Sequence, residues 1–266
     1  MKILISGKGG SGKSTLSALV AKALKDRGFK VLLVDADESN YGLHRLLDIS
    51  FPVPLLENMG GKPGFKKMTS VTFPQPNAEL PFKNGMGIDE FPENCLAESD
   101  GIKLLVIGKI HDFGEGCACP MGALSKMFLP KLALAENEII IIDAAAGVEH
   151  FGRRVDGDCD MIIGVVDPTF ESFSLAKQMA GMAEKAGVEI FFVLNKVDDR
   201  VRDIMHKNVD RKNVVAEIPH IPSIFMDSLE GKKLKTSCRE IEPICRTIED
   251  FKKRSRPFKI RRAPWT

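Results

Sequence analysis

Near the N-terminus of this 266-residue chain stands the glycine-rich stretch Gly7-Lys8-Gly9-Gly10-Ser11-Gly12-Lys13-Ser14-Thr15. It contains the pattern G-x-x-x-x-G-K-[ST], which spans Gly7 to Ser14. In this pattern the glycines let backbone N–H groups turn towards phosphate oxygens, and the N-terminus of the following helix adds its positive dipole end. Lys13 can reach the β- and γ-phosphates, and the Ser14 hydroxyl can coordinate Mg²⁺. The sequence therefore predicts nucleotide contacts from Gly7, Gly9, Gly10, Ser11, Gly12, Lys13, Ser14 and Thr15.

Apolar runs alternate with helical patterns along the chain. The predicted strands are Lys2–Ser6, Val31–Val34, Ile102–Ile107, Ile139–Ile142, Met161–Val166, Ile190–Leu194 and Val214–Ile218. The predicted helices are Ser14–Arg27 and residues 121–136, 171–186, 199–208 and 236–254. Because the strand runs lack polar alternation, we expect both of their faces to be covered. We therefore predict the α/β fold of a P-loop NTPase, a mostly parallel, twisted sheet of about seven to eight strands with helices on both faces.

The composition is that of an ordinary globular protein, with 44% hydrophobic and 28% charged residues. It excludes collagen-like, disulfide-dense and wholly disordered classes. No run approaches the roughly 18 consecutive apolar residues of a membrane span, and the apolar run at the N-terminus is too short for a secretory signal. We therefore expect a cytoplasmic protein whose six cysteines are reduced rather than paired in disulfides.

Two segments depart from the alternating pattern. Residues 51–101 hold seven prolines and six glycines, which indicates a loop-rich insertion. Residues 251–266 carry seven basic and no acidic side chains, which leaves residues 1–250 with a net charge of −5 although the whole chain has +2. We predict a single nucleotide-binding domain over residues 1–250, followed by a basic tail that either is solvated or contacts an acidic partner.

Acidic residues follow two of the predicted strands. Asp143 comes directly after Ile139–Ile142, at the place of a Walker B aspartate that holds Mg²⁺ directly or through water. Asp35 and Asp37 follow the second strand in the sequence V-D-A-D. These carboxylates are candidates for a magnesium site together with Ser14, although helix caps or turn residues would give the same pattern.

A pair of thiols forms a second candidate site in the stretch Gly116-Cys117-Ala118-Cys119-Pro120. In an extended segment, residues two apart point to the same side, so both thiolates could bind one soft metal ion. Two cysteines supply only half of a tetrahedral site. The other ligands could come from the same chain, where His111 and Cys95 are nearest in sequence, or from the equivalent pair of a second copy. Two unligated thiols beside a turn would have the same sequence.

The glycine-rich loop, with its additional lysine, resembles the deviant Walker A motif of the MinD/ParA/NifH ATPases. The resemblance implies a nucleotide-dependent homodimer in which Lys8 reaches the phosphates bound by the partner subunit, although Lys8 could instead add positive potential in its own subunit. It also implies that Asp37 positions the attacking water, with Asp35 nearer the magnesium ion. The segment Asp143-Ala144-Ala145-Ala146-Gly147 resembles the second switch loop of this family. The expected catalytic residues are Lys8, Lys13 and Asp37.

The identity of the base depends on Asn195-Lys196-Val197-Asp198, which ends a predicted strand. This sequence matches the guanine-reading N-K-x-D pattern of GTPases. In the MinD-like family, however, the Asn at this place contacts adenine, and a later segment, here Ile218-Pro219, covers the base. Because the N-terminal motif resembles the ATPase branch, we expect ATP rather than GTP, with contacts from Asn195 and Lys196.

A narrower resemblance combines the deviant Walker A motif, the G-C-x-C-P loop and Ala146-Gly147-Val148-Glu149-His150-Phe151-Gly152. Together they are similar to the CooC family of nickel-insertion ATPases, over most of residues 1–220. The resemblance implies an ATP-dependent dimeric metallochaperone in which Cys117 and Cys119 of each subunit bind one Ni²⁺ or Zn²⁺ ion. It implies a carbon monoxide dehydrogenase or acetyl-CoA synthase client. The chain departs from the family at Ala144-Ala145, where an acidic residue is common, and in its basic tail.

Two other functions use the same ATPase fold. An iron–sulfur cluster carrier of the Mrp type typically has C-x-x-C later in the chain, and this sequence has no C-x-x-C. A positioning ATPase like MinD or ParA would bind a membrane or DNA, for which the basic tail is the only support. Pro257 interrupts any helix in the tail, and the tail has few apolar residues for an amphipathic anchor. We therefore expect neither a membrane nor nucleic acid as partner.

Overall fold

The computed structural model describes residues 1–69, 82–110, 119–147, 159–235 and 238–255. Within these ranges the strands are Lys2–Gly7 (β1), Lys30–Ala36 (β2), Leu96–Ser99 (β3), Ile102–Val106 (β4), Glu138–Ala144 (β5), Met161–Val166 (β6), Glu189–Val197 (β7) and Val214–Pro219 (β8). These described strands form one eight-stranded sheet with the order β3-β4-β2-β5-β1-β6-β7-β8. All seven predicted strands are therefore present, and the predicted α/β fold is confirmed.

The sheet is parallel except at one edge. β3 pairs antiparallel with β4, and the other strand pairs of the described sheet are parallel. The sequence did not predict β3, because Leu96-Ala97-Glu98-Ser99 is short and half polar. The parallel register places Asp35 of β2 beside Asp143 of β5. The carboxyl ends of these strands meet at one edge of the sheet, which is where ligands bind in such folds.

The described helices are Lys13–Asp26 (α1), Leu43–Leu46 (α2), Leu55–Asn58 (α3), Gly61–Thr69 (α4), Cys119–Phe128 (α5), Phe170–Ala186 (α6), Arg202–Asn208 (α7), Pro222–Leu229 (α8) and Glu242–Ser255 (α9). The prediction of a helix over residues 121–136 was wrong at its end. α5 ends at Phe128 and continues into a 3₁₀ turn that contains Pro130, which cannot continue an α-helix. The sequence also missed α8, where Pro222 occupies the first turn. None of the described helices has the length and apolar character to cross a membrane.

Each face of the sheet carries its own apolar core. Successive strand residues point to opposite faces, so Leu4 packs with α3, α5 and α6, whereas its neighbour Ile3 packs with α1 and α9. The same division separates Ile140 from Ile141. Since both faces are covered, the strands are apolar throughout, as predicted.

The two segments that depart from the alternating pattern are partly described. The proposed insertion at 51–101 contains α3, α4 and β3, and Leu55 and Leu56 of α3 are buried in the core beside β4. Residues 70–81 of this segment lie outside the described residues. The first five residues of the predicted tail, 251–255, belong to α9. The remaining tail residues, 256–266, lie outside the described part of the chain.

Candidate nucleotide site

The glycine-rich stretch forms a loop between β1 and α1. Gly10 and Gly12 have positive φ angles of 77° and 102°, which glycine adopts without strain. A Cβ atom on Gly7 would lie 2.5 Å from the carbonyl oxygen of Val165, and one on Gly12 would collide with the Asn195 amide. The loop backbone therefore passes close to β6 and β7, and it ends at the N-terminus of α1, where an anion is stabilised.

Two polar side chains of this loop are buried. The Lys13 ammonium donates to the carbonyl oxygen of Lys8 at 3.2 Å. The Ser11 hydroxyl has no hydrogen-bond partner among the described residues. A buried hydroxyl without a partner is unfavourable, and a phosphate oxygen would satisfy it. The glycine cradle, the lysine and this hydroxyl together fit a bound phosphate.

Lys8 lies against the start of α6 in its own chain. Its ammonium donates to the Thr169 hydroxyl at 3.2 Å, and this hydroxyl donates to Asp167 at 2.9 Å. Thr169 also caps α6 by accepting from the N–H of Ser172. In this structure Lys8 therefore contributes its charge within one chain, and a contact of Lys8 with a second subunit stays a prediction.

The Walker B position holds a fully buried carboxylate. Asp143 accepts from the hydroxyl of Ser14 at 2.6 Å and from that of Ser17 at 3.1 Å. The Asn40 amide donates to the Ser14 oxygen at 2.6 Å. Burial raises the pKa of Asp143 to about 6, although the hydrogen bond from Ser14 opposes this shift. Hydroxyl and carboxylate oxygens are ligands that Mg²⁺ prefers, so Ser14 and Asp143 fit a magnesium ion.

Asp35 lies beside Asp143 but has different partners. One carboxylate oxygen accepts from the Lys109 ammonium at 2.8 Å, and the other accepts from the N–H of Asp37 at 3.2 Å. Burial raises the pKa of Asp35 to about 7, and Lys109 partly offsets this effect. Both oxygens of Asp35 thus have partners in the chain, as both oxygens of Asp143 do. These bonds tie Asp35 to the loop that follows β2 and to Lys109, and its contact with a magnesium ion stays a prediction.

The predicted switch residues lie around the same edge of the sheet. Oδ1 of Asp37 accepts from both the N–H and the hydroxyl of Ser39, at 3.0 and 2.6 Å, which is the geometry of a turn residue. The N–H of Gly147 donates to the carbonyl oxygen of Gly7 at 3.3 Å, so the segment after β5 begins against the phosphate loop. Residues 148–152, which belong to the narrower resemblance, lie outside the described residues. The role of Asp37 in positioning water stays a prediction.

An apolar cavity of about 430 Å³ opens beside the phosphate loop. Its lining includes Thr15, Asn195, Lys196, Ile218, Pro219 and Phe225. The Asn195 amide donates to the carbonyl oxygen of Ser11 at 2.7 Å, and the Lys196 ammonium donates to that of Gly10 at 2.8 Å. An apolar cavity with a few polar groups, directly beside a phosphate loop, fits a nucleobase.

Asp198, the last residue of the N-K-x-D sequence, has a different task. Its carboxylate accepts from the N–H groups of Arg200 and Val201, at 2.9 and 3.1 Å, and from the Arg200 guanidinium at 2.7 Å. Asp198 is absent from the described residues that line the cavity. The carboxylate that reads guanine in an N-K-x-D sequence therefore bonds the turn before α7 here, and adenine as the base stays a prediction.

Of the two cysteines in the C-x-C pair, the structure describes one, Cys119. Cys119 is the first residue of α5 and is exposed, whereas Cys117 and His111 lie outside the described residues. Cys95 is completely buried in the apolar core, and burial raises the pKa of its thiol to about 11, so it does not fit an additional metal ligand. In the ranges that the structure describes, no three His, Cys, Asp or Glu side chains are grouped to hold a metal ion. Cys159, Cys238 and Cys245 are buried in the two apolar cores, which is typical of cysteines with a packing role.

The fold and this site define a P-loop nucleotide-binding protein. The sequence profile of the CobQ/CobB/MinD/ParA nucleotide binding domain matches residues 2–234. The chain belongs to this family of P-loop ATPases.

Two relatives extend over nearly the whole chain. An uncharacterized ATP-binding protein of Methanocaldococcus jannaschii is 46% identical over 244 residues, which cover 92% of this chain and 98% of that protein. The carbon monoxide dehydrogenase accessory protein CooC of Rhodospirillum rubrum is 32% identical over 250 residues, which cover 91% of each chain. The structure of the septum site-determining protein MinD complexed with Mg-ADP, from Pyrococcus horikoshii, has a TM-score of 0.64 at 20% identity and covers 93% of this chain and 95% of that one. This last similarity shows the shared fold.

The sequence analysis did not single out two residues that lie beside the site and bond its members. Asn40 bonds Ser14, and Lys109 bonds Asp35. Lys109 follows a predicted strand, Ile102–Ile107, which the structure pairs in parallel with the second strand, so that their carboxyl ends meet. The sequence signal for Lys109 is a lysine at the end of an apolar run, which becomes informative once this strand is known to lie beside the strand that ends at Asp35.

Proposed function

We propose that this chain is an ATP-hydrolysing, homodimeric metallochaperone that binds Ni²⁺ through the C-x-C pair of each subunit. Its client is a carbon monoxide dehydrogenase or an acetyl-CoA synthase, and Zn²⁺ can replace Ni²⁺ in vitro. The observation that carries this proposal is the similarity to the accessory protein CooC over 91% of both chains, in a sequence that contains Cys117 and Cys119. In this proposal a nickel ion is the cargo, and the nucleotide site controls its binding.

The nucleotide site supports hydrolysis of ATP by positioning and charge neutralisation. Lys13 and the N–H groups of the glycine-rich loop neutralise the phosphates, and Asp37 is the candidate for orienting the attacking water. When Mg²⁺ is bound with the nucleotide, it neutralises charge on the phosphate oxygens, and Ser14 and Asp143 are the residues that would hold it. Asn195 and the apolar cavity beside it support adenine as the base.

A second copy of the chain would complete both sites. Lys8, Gly9 and Gly147 line a groove of about 460 Å³ together with Phe170, whose side chain is 78% exposed. A large exposed apolar side chain beside the phosphate loop favours contact with another molecule at this place. In a closed dimer, Lys8 would exchange Thr169 for a phosphate of the partner subunit. The two C-x-C pairs would then supply four sulfurs, the number that a tetrahedral site needs.

The proposal is tested by titrating Ni²⁺ into the wild type and into the double variant Cys117→Ser/Cys119→Ser, with binding followed by calorimetry. We expect the double variant to bind nickel at least about 100-fold more weakly, because it lacks the thiolates that select soft metal ions. Cys238→Ser is the matched control, since Cys238 is buried and serine can keep its hydrogen bond to Glu240. Equal nickel affinity in the double variant and the wild type would contradict the proposal. In a separate experiment, a stable visible chromophore after anaerobic reconstitution with iron and sulfide would favour an iron–sulfur carrier.

A further inference from the structure

Lys109 is a buried cation that belongs to neither the phosphate loop nor the cysteine pair. Its side chain is 0% exposed. The ammonium donates to Asp35 Oδ2 at 2.8 Å, to the carbonyl oxygen of Asp37 at 2.5 Å and to the carbonyl oxygen of Asn40. It also lies 5.5 Å from the centre of the Tyr41 ring, within the range of a cation–π contact. The three N–H donors of the ammonium are therefore all used.

These bonds belong to a longer seam between two loops at the same edge of the sheet. The end of β2 and the loop after it, residues 37–41, run along the loop after β4, residues 107–110. The N–H of Ile107 donates to the carbonyl oxygen of Asp35 at 3.0 Å, and the N–H of Ile110 donates to that of Glu38 at 3.2 Å. The Tyr41 hydroxyl donates to the carbonyl oxygen of Ile110 at 2.8 Å. Lys109 lies in the middle of this seam and is its one buried cation among the described residues.

One end of the seam reaches the nucleotide site. The Asn40 amide donates to the Ser14 oxygen, which is the candidate magnesium ligand. Ser14 would use the same oxygen to hold a magnesium ion, and the bond that this oxygen now accepts from Asn40 would then weaken. Because the carbonyl oxygen of Asn40 is bonded to Lys109, a change at Ser14 reaches the buried ammonium through a single residue.

The other end of the seam reaches the cysteine-bearing helix. A Cβ atom on Gly108 would lie 3.1 Å from the Met121 side chain, and Met121 is two residues after Cys119 in α5. The backbone at Gly108 is thus packed directly against the first turn of this helix. The N–H of Leu56 also donates to the carbonyl oxygen of Ile107 at 2.9 Å, which fixes the loop against α3.

We propose that Lys109 is a positioning residue that couples occupancy of the nucleotide site to the position of Cys119 at the start of α5. A buried ammonium with all three donors engaged resists the separate movement of its acceptors, because each lost bond would leave a buried donor without a partner. The loop after β2 and the loop after β4 therefore move as one unit. This coupling deepens the proposed function: it would give ATP a route to the metal-binding thiols within each subunit, in addition to dimer closure.

The test compares alkylation of Cys119 by iodoacetamide, located by mass spectrometry, with and without MgATPγS. We expect the nucleotide to change the wild-type rate by about fivefold, in the usual range of coupling between two sites. Lys109→Met should bind the nucleotide and lose most of this change. Lys22→Met is the matched control, because Lys22 likewise donates to a backbone carbonyl, that of Leu234, on the opposite face of the sheet from α5. It should respond as the wild type does.

Tyr41→Phe provides a second variant that should not disturb folding, because Tyr41 is 39% exposed. It removes one bond of the seam, so we expect a response between those of the wild type and Lys109→Met. The coupling is overturned if Lys109→Met keeps the full nucleotide-dependent change, if the wild type shows no change, or if Lys109→Met loses nucleotide binding. Failure of the proposed function is seen separately, as absence of nickel binding by Cys117 and Cys119, and it leaves the alkylation result intact.

Discussion

The phosphate loop and the start of α5 differ in how completely a single chain builds them. At the phosphate loop, the side chains of Lys13, Ser14, Asp143 and Asn195 each have a hydrogen-bond partner within the chain. At the start of α5, the described thiol, that of Cys119, is exposed, and the described residues offer no group of three metal ligands. In its described residues one chain thus holds a prepared nucleotide site, whereas the source of further metal ligands for the C-x-C pair stays open. Variants of the two regions can separate these two properties.

The largest effect is expected for Lys13→Met. This variant removes the cation that neutralises the phosphates, so we expect the turnover number for ATP hydrolysis to fall about 10²–10³-fold. Phosphate release measures this change. Nickel affinity in the absence of nucleotide should be equal to that of the wild type, because Lys13 is bonded to the phosphate loop alone among the described contacts. A parallel loss of nickel affinity would show that the two sites are not separate within one chain.

An intermediate effect is expected for the pH dependence of stability. The folded-state pKa values of Asp143 and Asp35, about 6 and about 7, lie above their unfolded values, since burial disfavours the charged forms. Their stabilising contribution is therefore complete below about pH 4 and is lost as the pH rises through about 6 to 7. In Asp143→Asn without nucleotide, we expect the free energy of unfolding to decline less with rising pH than it does in the wild type. Between pH 4 and pH 8 the two declines should differ by about 1–3 kcal/mol. Urea unfolding between pH 4 and 8 measures it, and identical slopes for both proteins would refute it.

The smallest effects concern the base. Asn195→Ala should weaken ATP binding by about tenfold, since it removes a bond of about 1 kcal/mol to Ser11 and a candidate contact to the base. Asp198→Asn is the matched variant on the same segment, and it should leave the preference for ATP over GTP unchanged because Asp198 bonds Arg200 and Val201 instead. Competition between the two nucleotides for a fluorescent analogue measures both. A preference for GTP that disappears in Asp198→Asn would contradict the assignment of the cavity to adenine.

The fold was predictable from local patterns, and the site was predictable only in part. Continuous runs such as Ile139–Ile142 and Met161–Val166 indicate buried parallel strands, and the glycine pattern fixes the loop between the first strand and helix. The edge strand Leu96–Ser99 has no such run, and α5 ends early because of Pro130.

The partners of Asp35 show why the rest of the site could not be predicted. Spacing indicates that Asp35 lies at the end of a strand, but it does not indicate that Lys109, 74 residues later, uses one of its oxygens. Such contacts depend on which loops the sheet order brings together, and that order is a property of the whole chain. For the same reason the sequence left the additional ligands of Cys117 and Cys119 open.

The central claim is that two chains close around ATP and that this closure brings their cysteine pairs to one metal ion. The most direct measurement is the molar mass by light scattering, together with the nickel content, of the protein in saturating MgATPγS. The account predicts a dimer that holds one Ni²⁺ per two chains, and it predicts a monomer for Lys8→Ala under the same conditions before nickel is added. A wild-type protein that stays monomeric with nucleotide and nickel, or that binds one Ni²⁺ in each chain, would contradict it.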